Sequence, residues 1–238
     1  MGKEFEIVSE TVIEGTPQQV FDAATLGNSG WLWPMEVEPR LGGTGPFGSV
    51  VTVWEPPHHF ANHMEGEGGF FNHLDYLIEE RPEGKTWLRY VHSGIFFDDW
   101  DNQYDGALKH TAFYQHTLGE YVKHFAGRQA AFADIQGPAA SGTAEAFELL
   151  RSALGVAGAG QGVSVQAVVP GVDPLDAVLD YTNENFIGLR TSTAMYRFFG
   201  RNAFGSVVGM TVHLFDDGAD AAAEGAAWQT WLDGVYAA

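Results

Sequence analysis

Residues 104–126 read YDGALKHTAFYQHTLGEYVKHFA. Wound at 100° per residue, they split into two faces. Tyr104, Ala107, Leu108, Tyr114, Leu118, Tyr121, Val122 and Phe125 fall on one side. Lys109, His110, His116, Thr117, Glu120, Lys123 and His124 fall on the other, and Phe113 reads as exposed. The 3.6-residue period predicts an amphipathic helix. At 1.5 Å per residue it is about 35 Å long, enough to cross a small domain. Thr111 and Gln115 interrupt the apolar arc, which suggests that this face lines a cavity as well as a dry core. A helix with so wide an apolar face needs a sheet or a bundle to lie on.

The sequence before it supplies a sheet. Residues 4–14 alternate and carry β-branched side chains, the pattern of a strand. Thr16-Pro17-Gln18-Gln19 then opens a short helix: Thr16 as N-cap, Pro17 in the first turn, Gln19 closing a capping box. Asn28-Ser29-Gly30 ends it, and Trp31-Leu32-Trp33-Pro34 follows. After a Gly42–Pro46 turn come four strand-like runs, 47–54, 58–65, 70–79 and 86–97, joined by short links rich in Pro and Gly. Short links between consecutive strands predict an antiparallel meander. Period two assigns its faces. Phe60, Asn62, Met64, Phe70, Asn72, Leu74, Tyr76, Ile78, Leu88, Tyr90 and His92 point towards the long helix. His59, His63, His73, Asp75 and Trp87 point to water.

A strand, a helix opened by TPQQVFDAAT, the GWLWP cluster, a Gly-Gly turn, a meander and one long helix together resemble the START-like (SRPBCC) helix-grip superfamily. Within it the pattern is similar to the bacterial group related to the activator of Hsp90 ATPase homologue 1. The resemblance covers residues 3–128. It implies a curved sheet gripping the helix around an apolar cavity, in a superfamily that includes lipid and hormone binders, polyketide cyclases and co-chaperones.

Beyond it the plan recurs. Residues 130–135 read as a strand, TAEAFELLRSALG as a helix capped near Ser141–Thr143, and GVAGAGQG (155–162) as a flexible link. Strands at 163–169, 177–182, 185–192, 194–199 and 206–215 precede a last helix over 221–237. The expected fold is therefore α+β: a helix-grip domain over 1–128, then a second, shorter copy over 129–238. A different α+β domain is the rival reading for the second part.

Composition removes whole function classes. Twelve Lys+Arg stand against 31 Asp+Glu, a net charge of −19, with no basic stripe. That argues against nucleic acid and against an anionic membrane surface. Without cysteine there are no disulfides, thiolate metal sites or cysteine nucleophiles. No apolar run approaches a membrane span, and MGKEFEIVSE lacks a signal segment, so the expected location is cytoplasmic.

His116, Glu120 and His124 have i, i+4, i+8 spacing, but they lie on the polar helix face, and no metal or other cofactor is expected. Gly158-x-Gly160-x-Gly162 follows a helix at the wrong spacing for a dinucleotide fingerprint. The candidate ligand-binding set is Trp31, Asn62, Met64, Asn72, Leu74, Tyr76, Tyr90, His92, Thr111, Gln115 and Leu118. Mostly apolar groups with a few convergent polar ones are how small-molecule pockets are built. The primary expectation is non-covalent binding of a small apolar or aromatic molecule. The resemblance also offers a cyclase- or dehydratase-like enzyme with His92 as proton carrier, and a co-chaperone-like partner of another protein. Ligand identity and oligomeric state stay open.

Overall fold

The computed structural model describes residues 2–171 and 174–237. The chain divides into two compact units, Met1–Gln129 and Ala130–Ala238.

In unit 1, strand β1 (Lys3–Glu14) leads to helix α1 (Pro17–Ala24). Strands β2 (Val50–Glu55), β3 (His59–Glu65), β4 (Phe71–Arg81) and β5 (Lys85–Phe96) follow, then helix α2 (Trp100–Phe125). The sheet order is β1-β5-β4-β3-β2, antiparallel throughout. The first strand thus closes against the last, with Lys3 opposite Phe96 and Glu14 opposite Lys85. α2 packs along β1 and touches α1. This is a helix-grip arrangement.

Local chemistry explains the entry to α1. The Thr16 side chain accepts from the Gln19 amide at 3.3 Å, and Gln19 Oε1 accepts from the Thr16 amide at 2.9 Å. This is the reciprocal box read from the sequence. Val20 and Phe21 are fully buried beneath it.

α2 starts four residues earlier than its apolar period suggests. Trp100 and Asp101 are already helical, and Trp100 stacks on Tyr104 with ring centroids 4.7 Å apart. Burial on the helix also departs from the expected face. Leu108, assigned to the core, is exposed, whereas Phe113 and Thr117, assigned to solvent, are buried. Thr117 satisfies its hydroxyl by donating to the Phe113 carbonyl at 2.9 Å. Phe113 lies on the side of α2 opposite Thr111 and Leu118, and neither it nor Thr117 lines the cavity, so α2 is buried on more than one side and a single apolar period does not describe it.

Unit 2 repeats the element order. Strand β6 (Ala131–Gln136) leads to helix α3 (Ala146–Ala153). Strands β7 (Ser164–Ala167), β8 (Leu175–Thr182), β9 (Phe186–Arg190), β10 (Ala194–Phe199) and β11 (Gly209–Leu214) precede helix α4 (Ala221–Val235). Its sheet runs β6-β11-β10-β9-β8-β7, so again the first strand pairs with the last. This unit is shorter in chain but has one strand more than unit 1. Its C-terminal helix has 15 residues against 26 in α2.

Two local expectations are corrected here. The Ser141–Thr143 cap does not start α3. Instead Ser141 is buried, donates to the Pro138 carbonyl at 2.7 Å and accepts from the Val208 amide at 3.2 Å. The stretch 155–162 is more than a linker, because Val156 is fully buried in the unit 2 core. The space between α4 and its sheet is packed with side chains. Trp228 is fully buried, 5.3 Å from the Tyr196 ring and 5.6 Å from that of Phe198, with Leu232 and Leu150 packed alongside.

On the other side of that sheet lies a buried ion pair. Arg197 donates to both Asp180 oxygens, at 3.0 and 2.9 Å, and both side chains are almost wholly buried. The β8–β9 register slips between Leu179 and Tyr181, which leaves Asp180 as the bulged residue. Gly188 makes room: a Cβ there would run into Asp180 Oδ1 and stand 2.7 Å from Arg197 Nη1.

Candidate functional site

A cavity of about 400 Å³ lies in unit 1 between the sheet and α2. β4 and β5 form its floor, with Asn72, Leu74, Tyr76, Tyr90 and His92. Phe70 and Met64 extend the floor at one end. Ala107, His110, Thr111, Tyr114 and Gln115 of α2 form the opposite wall. The segment after α1 closes the side with Asn28, Trp31, Trp33 and Met35.

Of the eleven candidate residues, Trp31, Met64, Asn72, Leu74, Tyr76, Tyr90, His92, Thr111 and Gln115 come together around this space. Asn62 and Leu118 do not reach it. Asn62 is buried one layer away, where its Oδ1 accepts from the Ser49 hydroxyl at 3.0 Å. Leu118 is fully buried further along α2. The parity that pointed both inward is correct, but the hollow occupies only part of the inward face and solid core takes the rest.

His110 was read on the polar side of the helix and is a wall residue. Its Nδ1 donates to the Gly106 carbonyl, one turn back, at 2.7 Å. Tyr114 and Trp33 were also missed as wall residues. They meet edge to face at 6.1 Å between ring centroids. Spacing held a signal for His110, which is three residues after Ala107 and four before Tyr114, on one flank of the helix.

The polar groups are few and mostly engaged. His92 Nε2 bonds to Asn72 Oδ1 at 2.7 Å, and its ring sits edge-on to Phe5. Nε2–H is the donor, and in the neutral ring Nδ1 keeps its lone pair. Burial pushes the imidazole down to about 4, so it is uncharged at neutral pH. The Tyr90 hydroxyl bonds to Tyr76, and burial raises both phenols above their ordinary value. Asn28 is fully used: it donates to the Met35 carbonyl at 2.9 Å and accepts from the Met35 amide at 3.2 Å. Trp31 donates its indole N–H to the Ala23 carbonyl at 2.8 Å. These bonds fix the wall segment after α1 from behind and leave indole and thioether surface facing in. Gln115 is the exception, because its Oε1 is buried with no hydrogen-bond partner.

Phe47 stands at the rim. It lines the cavity yet is 72% exposed, and its backbone is left-handed at φ 57.

The outward histidines behave as a surface set. His59 Nε2 is 3.0 Å from Asp75, and His63 and His73 lie with ring centroids 5.6 Å apart. His124 pairs with Glu120 at 3.7 Å. Among the described residues, no group of three or more His, Asp or Glu is placed to hold a metal ion. No helix among them is long and apolar enough to cross a membrane.

No family model matches the sequence, and no curated protein matches it. Several solved structures are similar in shape. Protein MLL2253 from Mesorhizobium loti is 20% identical and aligns over 51% of this chain and 98% of its own, with a TM-score of 0.43. The Aha1 dimer from Colwellia psychrerythraea is 16% identical over 50% of this chain and 96% of its own, with a TM-score of 0.40. DynU16, a protein of the dynemicin biosynthetic locus, is 14% identical over 98% of this chain and 96% of its own, with a TM-score of 0.42.

Proposed function

We propose that unit 1 binds one small, predominantly apolar molecule, non-covalently, in the cavity between its sheet and α2. The observation that carries this reading is the hollow itself: about 400 Å³ walled mainly by aromatic and aliphatic side chains. That volume falls within the usual range of small-molecule sites. Native cores are otherwise close-packed, so a void of this size between two well-ordered elements needs a reason. Trp31, Trp33, Phe70, Tyr76, Tyr90 and Tyr114 offer ring faces and edges to a ligand.

A cyclase-like reading rests on His92 alone. Burial holds its imidazole near 4, a poor match for a proton carrier at neutral pH. The binding reading therefore stands ahead of it.

The test uses N-phenyl-1-naphthylamine, an uncharged dye that brightens in apolar surroundings. Saturable binding at one dye per chain is expected, and it should be lost in Ala107→Phe, which places a ring in the cavity. Dye uptake without saturation, or saturation that survives Ala107→Phe with the fold intact by circular dichroism, would refute the proposal.

A further inference from the structure

The wall of the unit 1 cavity contains no Lys, Arg, Asp or Glu. This holds in a chain where those four residue types supply 43 side chains, 12 basic and 31 acidic. We propose that the cavity is a charge filter: it admits uncharged, flat, ring-containing molecules and rejects the carboxylates and ammonium ions of the same size and shape. This rests on the binding reading above and specifies the ligand class for that site.

Three features support it. First, a charged group entering the hollow would lose its water and find no carboxylate, ammonium or guanidinium of opposite sign, while the two wall imidazoles, His92 and His110, are bonded to Asn72 and to the Gly106 carbonyl. Second, most polar side chains that could solvate it are already committed, and the exception, Gln115 Oε1, offers one uncharged acceptor. His92 is bonded to Asn72, Tyr90 to Tyr76, and Asn28 to both polar groups of the Met35 backbone. His92 is also neutral, since burial pushes its imidazole down to about 4. Third, the whole chain carries −19, so an anion is repelled before it arrives. Flatness follows from the rings. Tyr76 and Tyr90 lie 4.8 Å apart across adjacent strands, and Trp33 and Tyr114 face in from the other side. A hollow of about 150 Å³ already accepts benzene. The volume here leaves room for two fused rings with a substituent.

The test is competition against N-phenyl-1-naphthylamine at pH 7 by 2-naphthol, 2-naphthoate and 2-naphthylmethylammonium. These share one ring system and differ in charge. 2-Naphthol is expected to displace the dye at a concentration at least 100-fold lower than either ion. A second arm uses Met64→Lys, which adds a cation at the edge of the floor. This variant should bring 2-naphthoate at least tenfold closer to 2-naphthol and leave 2-naphthylmethylammonium no better. Equal displacement by 2-naphthol and 2-naphthoate in the natural protein would overturn the filter while leaving the binding site in place. An unchanged ratio in a folded Met64→Lys protein would likewise overturn it, because the missing counter-charge would not be what sets the preference. Failure of the dye and of all three competitors to bind would overturn the binding reading and the filter with it.

Discussion

Truncating two leucines of unit 1 should give very different losses of stability. Leu118 is fully buried in solid core along α2, whereas Leu74 borders the cavity. Leu118→Ala removes three methyl(ene) groups from a site whose neighbours one turn on, Tyr121 and Val122, are held by the helix and cannot close in freely. The expected cost is about 2–5 kcal/mol, transfer plus the new void. Leu74→Ala only enlarges an existing hollow. Its side chain is partly exposed, so the loss is about 1 kcal/mol of apolar contact with little void penalty. Urea unfolding monitored by the backbone amides of α2 in NMR spectra measures both, and it reports unit 1 without assuming that the chain unfolds in one step. The reasoning fails if Leu74→Ala costs as much as Leu118→Ala. That outcome would mean the cavity is closed and packed in solution.

Other perturbations follow the same logic. Thr16→Ala removes one half of the capping box and should lower unit 1 stability by about 1 kcal/mol, read from the same urea midpoints. Arg197→Met strands the buried Asp180 carboxylate and should cost about 3–5 kcal/mol, while the double change with Asp180→Leu should recover most of it. Gly188→Ala should also destabilise unit 2, because its Cβ displaces the Asp180–Arg197 pair; a neutral result in thermal melts would contradict the close approach. His92 gives a pH dependence of definite sign. The unfolded chain takes up its proton near 6.5 and the folded chain only near 4, so between these values the unfolded state holds more protons. Stability should fall as pH drops through that window, by at most about 3 kcal/mol. His92→Gln should remove that part of the slope, and identical slopes for the two proteins would show that the imidazole is not desolvated.

Much of this was legible in the residues. The capping box, the meander and its two faces, and the order of elements in unit 2 all rest on short-range patterns of apolar period and turn chemistry. Face assignment on α2 is where the period misled. Phe113 and Thr117 are buried, Leu108 is exposed, and His110 joins the wall. His110 faces the cavity, and the hydrophobic period cannot tell such a polar group from one facing bulk water, whereas Phe113 and Thr117 are buried away from the cavity, which a single apolar face cannot express. Asn62 and Leu118 show the complementary limit. Alternation tells which side of a strand or helix a residue faces, but not where along that side the packing stops and the hollow begins. The Asp180–Arg197 pair lay further out of reach, since it depends on a bulge and on one glycine in the neighbouring strand.

Trp228 gives the second half of the molecule a different destiny from the first. There the plan is stoppered by a single indole, held by its N–H donating to Glu224 at 3.0 Å. A large-to-small change at that one position would hollow out a chamber at a cost of about 3–5 kcal/mol. A chain of this design is thus one mutation away from a second hollow, with the shape of the indole that left it.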